Sequence, residues 1–90
     1  MIPSYFIKII NFKKISPTRC RLEIEKNTHD ICICKQLYIV KKRNKDIPVY
    51  KIICGNETFI VFESKKQYYM IEENYINETK EDIKKIIMED

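Results

Sequence analysis

The amino-acid composition of this chain favours a fold built mainly of strands. Isoleucine makes up about a fifth of the 90 residues, whereas the chain has no alanine, two leucines and one glycine. β-Branched and aromatic residues favour the pleated, half-buried surface of a sheet, while alanine and leucine favour helices. Ile, Lys, Asn and Tyr also have AT-rich codons, so an AT-rich genome would contribute to the same bias. The composition therefore predicts a β-rich protein.

Alternation and turn residues locate the strands. Residues 19–25 alternate, with Leu22 and Ile24 on one face and charged residues on the other. Residues 49–54 and 57–63 flank Gly55-Asn56, and glycine in the first position of a two-residue loop suits a type II′ hairpin turn. Further strands are predicted over residues 4–12 and 67–72, and over 31–40 as two short strands or one bent strand. Breaks are predicted at residues 13–17, 27–30, 41–46 and 64–66.

The period changes near the C-terminus. Ile76, Ile83, Ile86 and Ile87 follow helical spacing, and Thr79 with Asp82 resembles a capping box. We predict a helix over residues 79–88 that docks its isoleucine face on the sheet, because so short a helix is not stable alone. The expected fold is α+β and mainly antiparallel, with about six to seven short strands in a small barrel or curled sheet and one C-terminal helix. Residues 1–90 are expected to form a single domain.

Charge is distributed unevenly along the chain. Residues 1–53 contain twelve Lys and Arg against four Asp and Glu, whereas residues 54–90 contain five against nine. Such asymmetry is typical of a basic surface offered to a polyanion. The cations form two clusters, which we predict to contact phosphates: Lys13, Lys14, Arg19 and Arg21, and then Lys41, Lys42, Arg43 and Lys45.

Enzymatic and metal-dependent functions find little support. A single glycine excludes a P-loop and a dinucleotide-binding fingerprint. His29 is the only histidine, and the Cys32-x-Cys34 spacing differs from the two-residue gap of a zinc knuckle. No catalytic residue, metal or cofactor is predicted. The aromatic residues on predicted strands could stack bases, but packing in the core is the favoured interpretation.

The cysteines and the apolar segments indicate in which cellular compartment the protein is expected. The N-terminal apolar stretch is interrupted by Lys8 and does not resemble a secretory signal, and no run is long enough for a membrane span. The four cysteines are therefore expected to be reduced thiols that pack as small core residues in a cytoplasmic protein.

The segment Lys14-Ile-Ser-Pro-Thr-Arg19-Cys-Arg21 and the count of predicted elements resemble a pleckstrin-homology-like domain. That resemblance implies seven strands, a C-terminal helix that plugs the barrel, and inositol phosphates bound between the first two strands. Ile83 stands at about the place of the helical tryptophan of that family.

Three functional hypotheses follow from these features. The first is a small non-enzymatic accessory protein that binds a ribonucleoprotein such as the ribosome through RNA phosphates. The second is a pleckstrin-homology-like module for a phosphoinositide or a protein partner. The third is a viral or parasite inhibitor that contacts another protein through a sheet edge.

Overall fold

The computed structural model describes residues 2–25, 27–72, 74 and 80–89, and it shows a curled antiparallel sheet with one helix. The elements in chain order are β1 (Ile7–Lys8), β2 (Asn11–Ser16), β3 (Arg19–Glu23), β4 (Thr28–Lys42), β5 (Lys45–Cys54), β6 (Glu57–Ser64), β7 (Gln67–Glu72) and α1 (Lys80–Met88). The strand order across the sheet is β1-β7-β6-β5-β4-β3-β2. The predicted fold class is confirmed.

Residues 7–16 form both edge strands of the sheet, β1 and β2. Ile9 N donates to Tyr68 O on β7 at 3.0 Å, and Ile10 N donates to Glu23 O on β3 at 2.9 Å. Gln67 Nε2 also donates to Ile9 O at 2.8 Å. The single strand predicted over residues 4–12 is therefore wrong, because the chain leaves β7 here and crosses to β3. This crossing draws the two ends together and curls the sheet.

The first hydrophobic core fills the inside of this curl. Ring contacts across the opening show that the ends meet, since Phe12 on β2 lies 5.2 Å from Tyr68 on β7 between ring centroids. Leu22 is fully buried among these side chains. The buried members are Ile9, Phe12, Cys20, Leu22, Cys32, Cys34, Ile52, Cys54, Phe59, Val61 and Met70.

The second core lies on the opposite face of the sheet, under α1. Strand β6 shows the division, since Phe59 belongs to the first core whereas Ile60 and Phe62 pack with the helix. The predicted isoleucine face is confirmed at Ile83, Ile86 and Ile87, which are all buried. The helix thus packs on the outer face of the curled sheet. The pleckstrin-homology resemblance implied a helix that plugs the barrel, and this expectation is wrong. Thr79 and Ile76, which entered the helix prediction, lie outside the described residues.

Strand β4 is the longest element, with 15 residues and a register shift at Leu37 that marks a β-bulge. It combines the bent strand, the turn predicted at residues 27–30 and the start of the basic loop predicted at residues 41–46. The loop shrinks to Arg43-Asn44 because β4 and β5 stay paired up to Lys42 and Lys45. The Gly55-Asn56 hairpin is confirmed, and Gly55 has a φ of 63°.

Two disulfides cross-link the inside of the curl. Cys20–Cys34 joins β3 to β4, and Cys32–Cys54 joins β4 to β5. The burial expected for the four cysteines is confirmed, but the expectation of reduced thiols is wrong. No local pattern indicates the pairing, because partners 14 and 22 residues apart meet only through the strand register. In the described part of the chain, no helix is long and apolar enough to cross a membrane.

Candidate functional site

Two turns at one end of the sheet enclose a cationic groove of about 540 Å³. One turn joins β4 to β5 and the other joins β6 to β7, and the antiparallel strand order places both at the same end. Five cations and one carboxylate line the groove, which suits an anionic ligand. The lining residues are Lys42, Arg43, Asn44, Lys45, Ile47, Glu63, Lys65 and Lys66.

The turn at Lys65-Lys66 has an uncommon backbone for its sequence. Both residues have positive φ, at 51° and 63°, and they connect the paired residues Ser64 and Gln67. Positive φ at both central residues defines a type I′ turn, for which Asn-Gly is the preferred sequence. A lysine in this region costs roughly 1 kcal/mol. Two adjacent lysines therefore occupy a turn whose backbone favours other residue types.

The opposite turn has the same combination of strain and charge. Arg43 has a φ of 51°, and Lys42 and Lys45 pair directly across β4 and β5. Like charges directly opposite each other destabilise an antiparallel pair. An anion bound in the cationic groove would lie close to this lysine pair and offset part of the repulsion between the two charges.

Glu63 is the acidic residue in the groove lining, and it lies opposite Tyr68 in the β6–β7 register. Burial, the Glu63 carboxylate and Tyr50 together raise the pKa of Tyr68 above its ordinary value. The Tyr68 phenol therefore keeps its proton to a higher pH than an ordinary tyrosine does.

The structure divides the second predicted cluster. Lys42, Arg43 and Lys45 line the cationic groove, whereas Lys41 lines a different groove beside the helix. Lys65 and Lys66 join the first three, although the sequence alone predicts them only as turn residues. The signal that could have identified them was a Lys-Lys pair where a two-residue hairpin favours Asn-Gly.

The first predicted cluster is also split, here between the two faces of β2 and β3. Lys13 pairs with Arg21, and both are exposed on the outer face together with Arg19. Arg21 Nε lies 3.1 Å from Asp30 Oδ1, an exposed ion pair of the kind that contributes little stability. Lys14 lies on the opposite face, with its Nζ 5.0 Å from the centroid of the Tyr50 ring.

A long stretch of β4 separates the two clusters. Arg19 is partnered with Ile33, and Lys42 lies nine residues further along the same strand. At about 3.3 Å per residue, the separation is roughly 25–30 Å. A small ligand cannot reach both clusters, whereas an extended polymer can.

Several of the residues considered for stacking and for catalysis are packed in the core or cross-linked. Phe59, Phe62 and Tyr69 are buried, which confirms core packing for these three aromatic side chains. His29 lies in β4, with its Nε2 3.8 Å from Glu57 Oε2 and its ring against Phe59. The disulfides engage the sulfur atoms of all four cysteines, so as long as the bonds are intact no thiolate is present beside His29.

The cationic groove is the most distinctive arrangement of polar residues in the described part of the molecule. It combines five cations, strained turns and a directly opposed lysine pair. The chain matches no protein-family model, no curated protein and no solved structure.

Proposed function

We propose that this protein is a non-enzymatic binding protein whose cationic groove holds the phosphate groups of RNA, as on the surface of a ribonucleoprotein such as the ribosome. The observation that carries the proposal is the convergence of five cations from two separate turns on one groove. Phosphate contacts require correctly placed cations and little else, and they position a protein without reading sequence.

The arrangement of the remaining cations favours a polymer over a small ligand. Lys13, Arg19 and Arg21 form a second basic surface roughly 25–30 Å from the groove along β4. A nucleic acid strand in a duplex has about one phosphate per 3.4 Å, so a length of about eight or nine nucleotides reaches both surfaces. An inositol phosphate would occupy one surface and leave the other without a role.

The disulfides bear on which polyanion the groove would meet, because they depend on the compartment. Such bonds persist in oxidising compartments and are rare in the cytosol, so they favour an extracellular setting, while the cytoplasmic location stays a prediction. In an oxidising setting the linear polyanion would be a sulfated polysaccharide. The sulfate and phosphate arms of the experiment below separate these two sources.

The test is fluorescence anisotropy with a labelled RNA of about 20 nucleotides, measured over a range of salt concentrations. Arg43→Gln/Lys45→Gln removes two groove cations and should weaken binding. It should also lower the slope of log affinity against log salt by about 2, one for each phosphate group that the variant no longer neutralises. Heparin and phosphoinositide-containing vesicles are titrated in parallel.

The matched control is Lys8→Gln/Lys85→Gln, which changes the net charge equally at exposed positions outside the groove. It should keep the wild-type slope. Equal reductions in affinity for the two double variants would mean that only overall charge matters and would refute the groove. Binding to heparin without RNA would assign the polyanion to the sulfated class. Binding to phosphoinositide vesicles alone would replace the proposal with a membrane-surface module.

A further inference from the structure

The second half of β4 has a backbone edge that no described strand covers. β3 pairs with β4 only as far as Ile33, and the last backbone contact between the two strands is Cys34 N donating to Thr18 O at 3.0 Å. Among residues 2–25, 27–72, 74 and 80–89, no strand pairs with residues 35–41 on this side, although β5 pairs with them on the other. We call residues 35–41 the β4 edge.

An uncovered strand edge presents a row of backbone donors and acceptors, and it is the feature on which peptides add as a further strand. The side chains here are more apolar than a solvated edge requires, since Leu37 and Ile39 are 42% and 43% exposed. The bulge at Leu37 interrupts regular pairing within the edge. A docked strand would therefore pair best with the residues that follow the bulge, from Tyr38 onward.

A groove of about 380 Å³ lies beside these residues, between β4 and α1. Its apolar lining includes Tyr38, Val40 and Met88, and its charged lining consists of Lys41, Lys80 and Lys84. Lys80 Nζ lies 5.0 Å from the centroid of the Tyr38 ring, which fixes one of these cations above an aromatic face. Strand-adding peptides gain affinity from backbone hydrogen bonds and specificity from pockets of this kind.

The charges select the occupant. A second copy of this chain, paired edge to edge, would bring Lys35 and Lys41 of one copy close to the same lysines of the other, and such like-charge pairs are destabilising. An acidic strand meets the opposite situation, because Lys41, Lys80 and Lys84 all line the groove beside the residues that follow the bulge. We propose that the β4 edge and the groove beside it bind an extended acidic peptide of a partner protein, which adds to the sheet as a further strand.

The probe is a synthetic eight-residue peptide that alternates Glu and Val, with a Lys-Val peptide of the same length as its charge-reversed counterpart. Binding is measured by titration calorimetry, and its location by amide hydrogen exchange of the protein with and without peptide. The Glu-Val peptide should bind and slow exchange within residues 35–41, whose outward amides have no strand partner in the described part of the chain. The Lys-Val peptide should not bind.

Charge reversal supplies the second measurement. Lys41→Glu/Lys84→Glu should weaken the Glu-Val peptide on the order of tenfold and allow the Lys-Val peptide to bind. Lys8→Glu/Lys85→Glu makes the same net change at exposed positions outside this groove and should leave the affinity within about twofold. Circular dichroism and thermal unfolding of both variants confirm that they are folded.

Three outcomes would overturn the inference. The first is protection that falls on the turns of the cationic groove while residues 35–41 still exchange freely. The second is equal affinity of the peptide for the two charge-reversed variants. The third is concentration-dependent self-association that protects residues 35–41 without any peptide, which would assign the β4 edge to a second copy.

Discussion

Replacement of Lys65-Lys66 by Asn-Gly should stabilise the folded protein and weaken its binding to RNA. The two lysines are held at φ values of 51° and 63° in a type I′ turn. Glycine removes a backbone cost of roughly 1 kcal/mol at the second position, and asparagine removes part of a similar cost at the first. The greater freedom of glycine in the unfolded chain offsets about 0.5–1 kcal/mol of this gain. We expect a net stabilisation of about 0.5–1 kcal/mol.

The control for this substitution is Lys65→Gln/Lys66→Gln, which removes the same two ammonium groups and keeps the strained backbone. Comparing Asn-Gly with Gln-Gln therefore isolates the backbone contribution from any interaction that the lysine side chains make. For a domain of this size, a difference of about 0.5–1 kcal/mol raises Tm by about 2–8 °C. Thermal unfolding followed by circular dichroism under oxidising conditions measures this difference.

Binding should respond in the opposite sense. Both variants lack two groove cations, so both should bind the RNA probe more weakly, with a salt slope that is lower by about 2. If Asn-Gly is no more stable than Gln-Gln, the positive-φ residues carry no strain and that reasoning is refuted. If both variants bind RNA with the wild-type affinity and slope, Lys65 and Lys66 are not part of the binding site.

Three further predictions concern the fold. Cys20→Ser/Cys34→Ser opens a cross-link with a sequence separation of 14 residues and should lower the free energy of unfolding by about 3 kcal/mol, measured by urea denaturation. Leu22→Ala should cost about 2–5 kcal/mol in the same assay, because the side chain is fully buried, whereas Leu37→Ala at the exposed bulge should cost under about 0.5 kcal/mol. Burial, and then the Glu81 carboxylate, raise the pKa of Tyr38 above its ordinary value. The folded state thus retains the phenolic proton more tightly, so this contribution to stability is complete below about pH 10 and is lost as pH rises through the folded-state pKa. Tyr38→Phe should therefore show a smaller loss of stability above pH ~10 in urea titrations, and an unchanged pH profile would contradict this.

Local sequence was sufficient for features that depend on neighbours a few residues apart. The Gly55-Asn56 hairpin followed from one glycine between two apolar runs, and the docking face of α1 followed from Ile83, Ile86 and Ile87 at helical spacing. Both are properties of backbone geometry repeated over one turn or one strand pair. The predicted single strand over residues 4–12 was wrong because its division depends on contacts with both β7 and β3, which no local pattern contains.

The candidate site, in contrast, could be predicted only in part from local sequence. Charge showed that the first half of the chain is basic, and it placed Lys42, Arg43 and Lys45 in one predicted cluster. Lys65 and Lys66 could not be added from the sequence, because they meet Arg43 only after β5 and β6 have carried the chain back to the same end of the sheet.

The same division applies to the whole molecule. Residue type and period specify strands, a hairpin and an amphipathic helix, because these depend on local backbone preference and on which side chains leave water. The tertiary structure decides the disulfide partners, the position of the β4 edge and the composition of the cationic groove. Each of these depends on strand register and on where a strand outruns its neighbour, and register follows from the packing of the whole sheet rather than from any one segment.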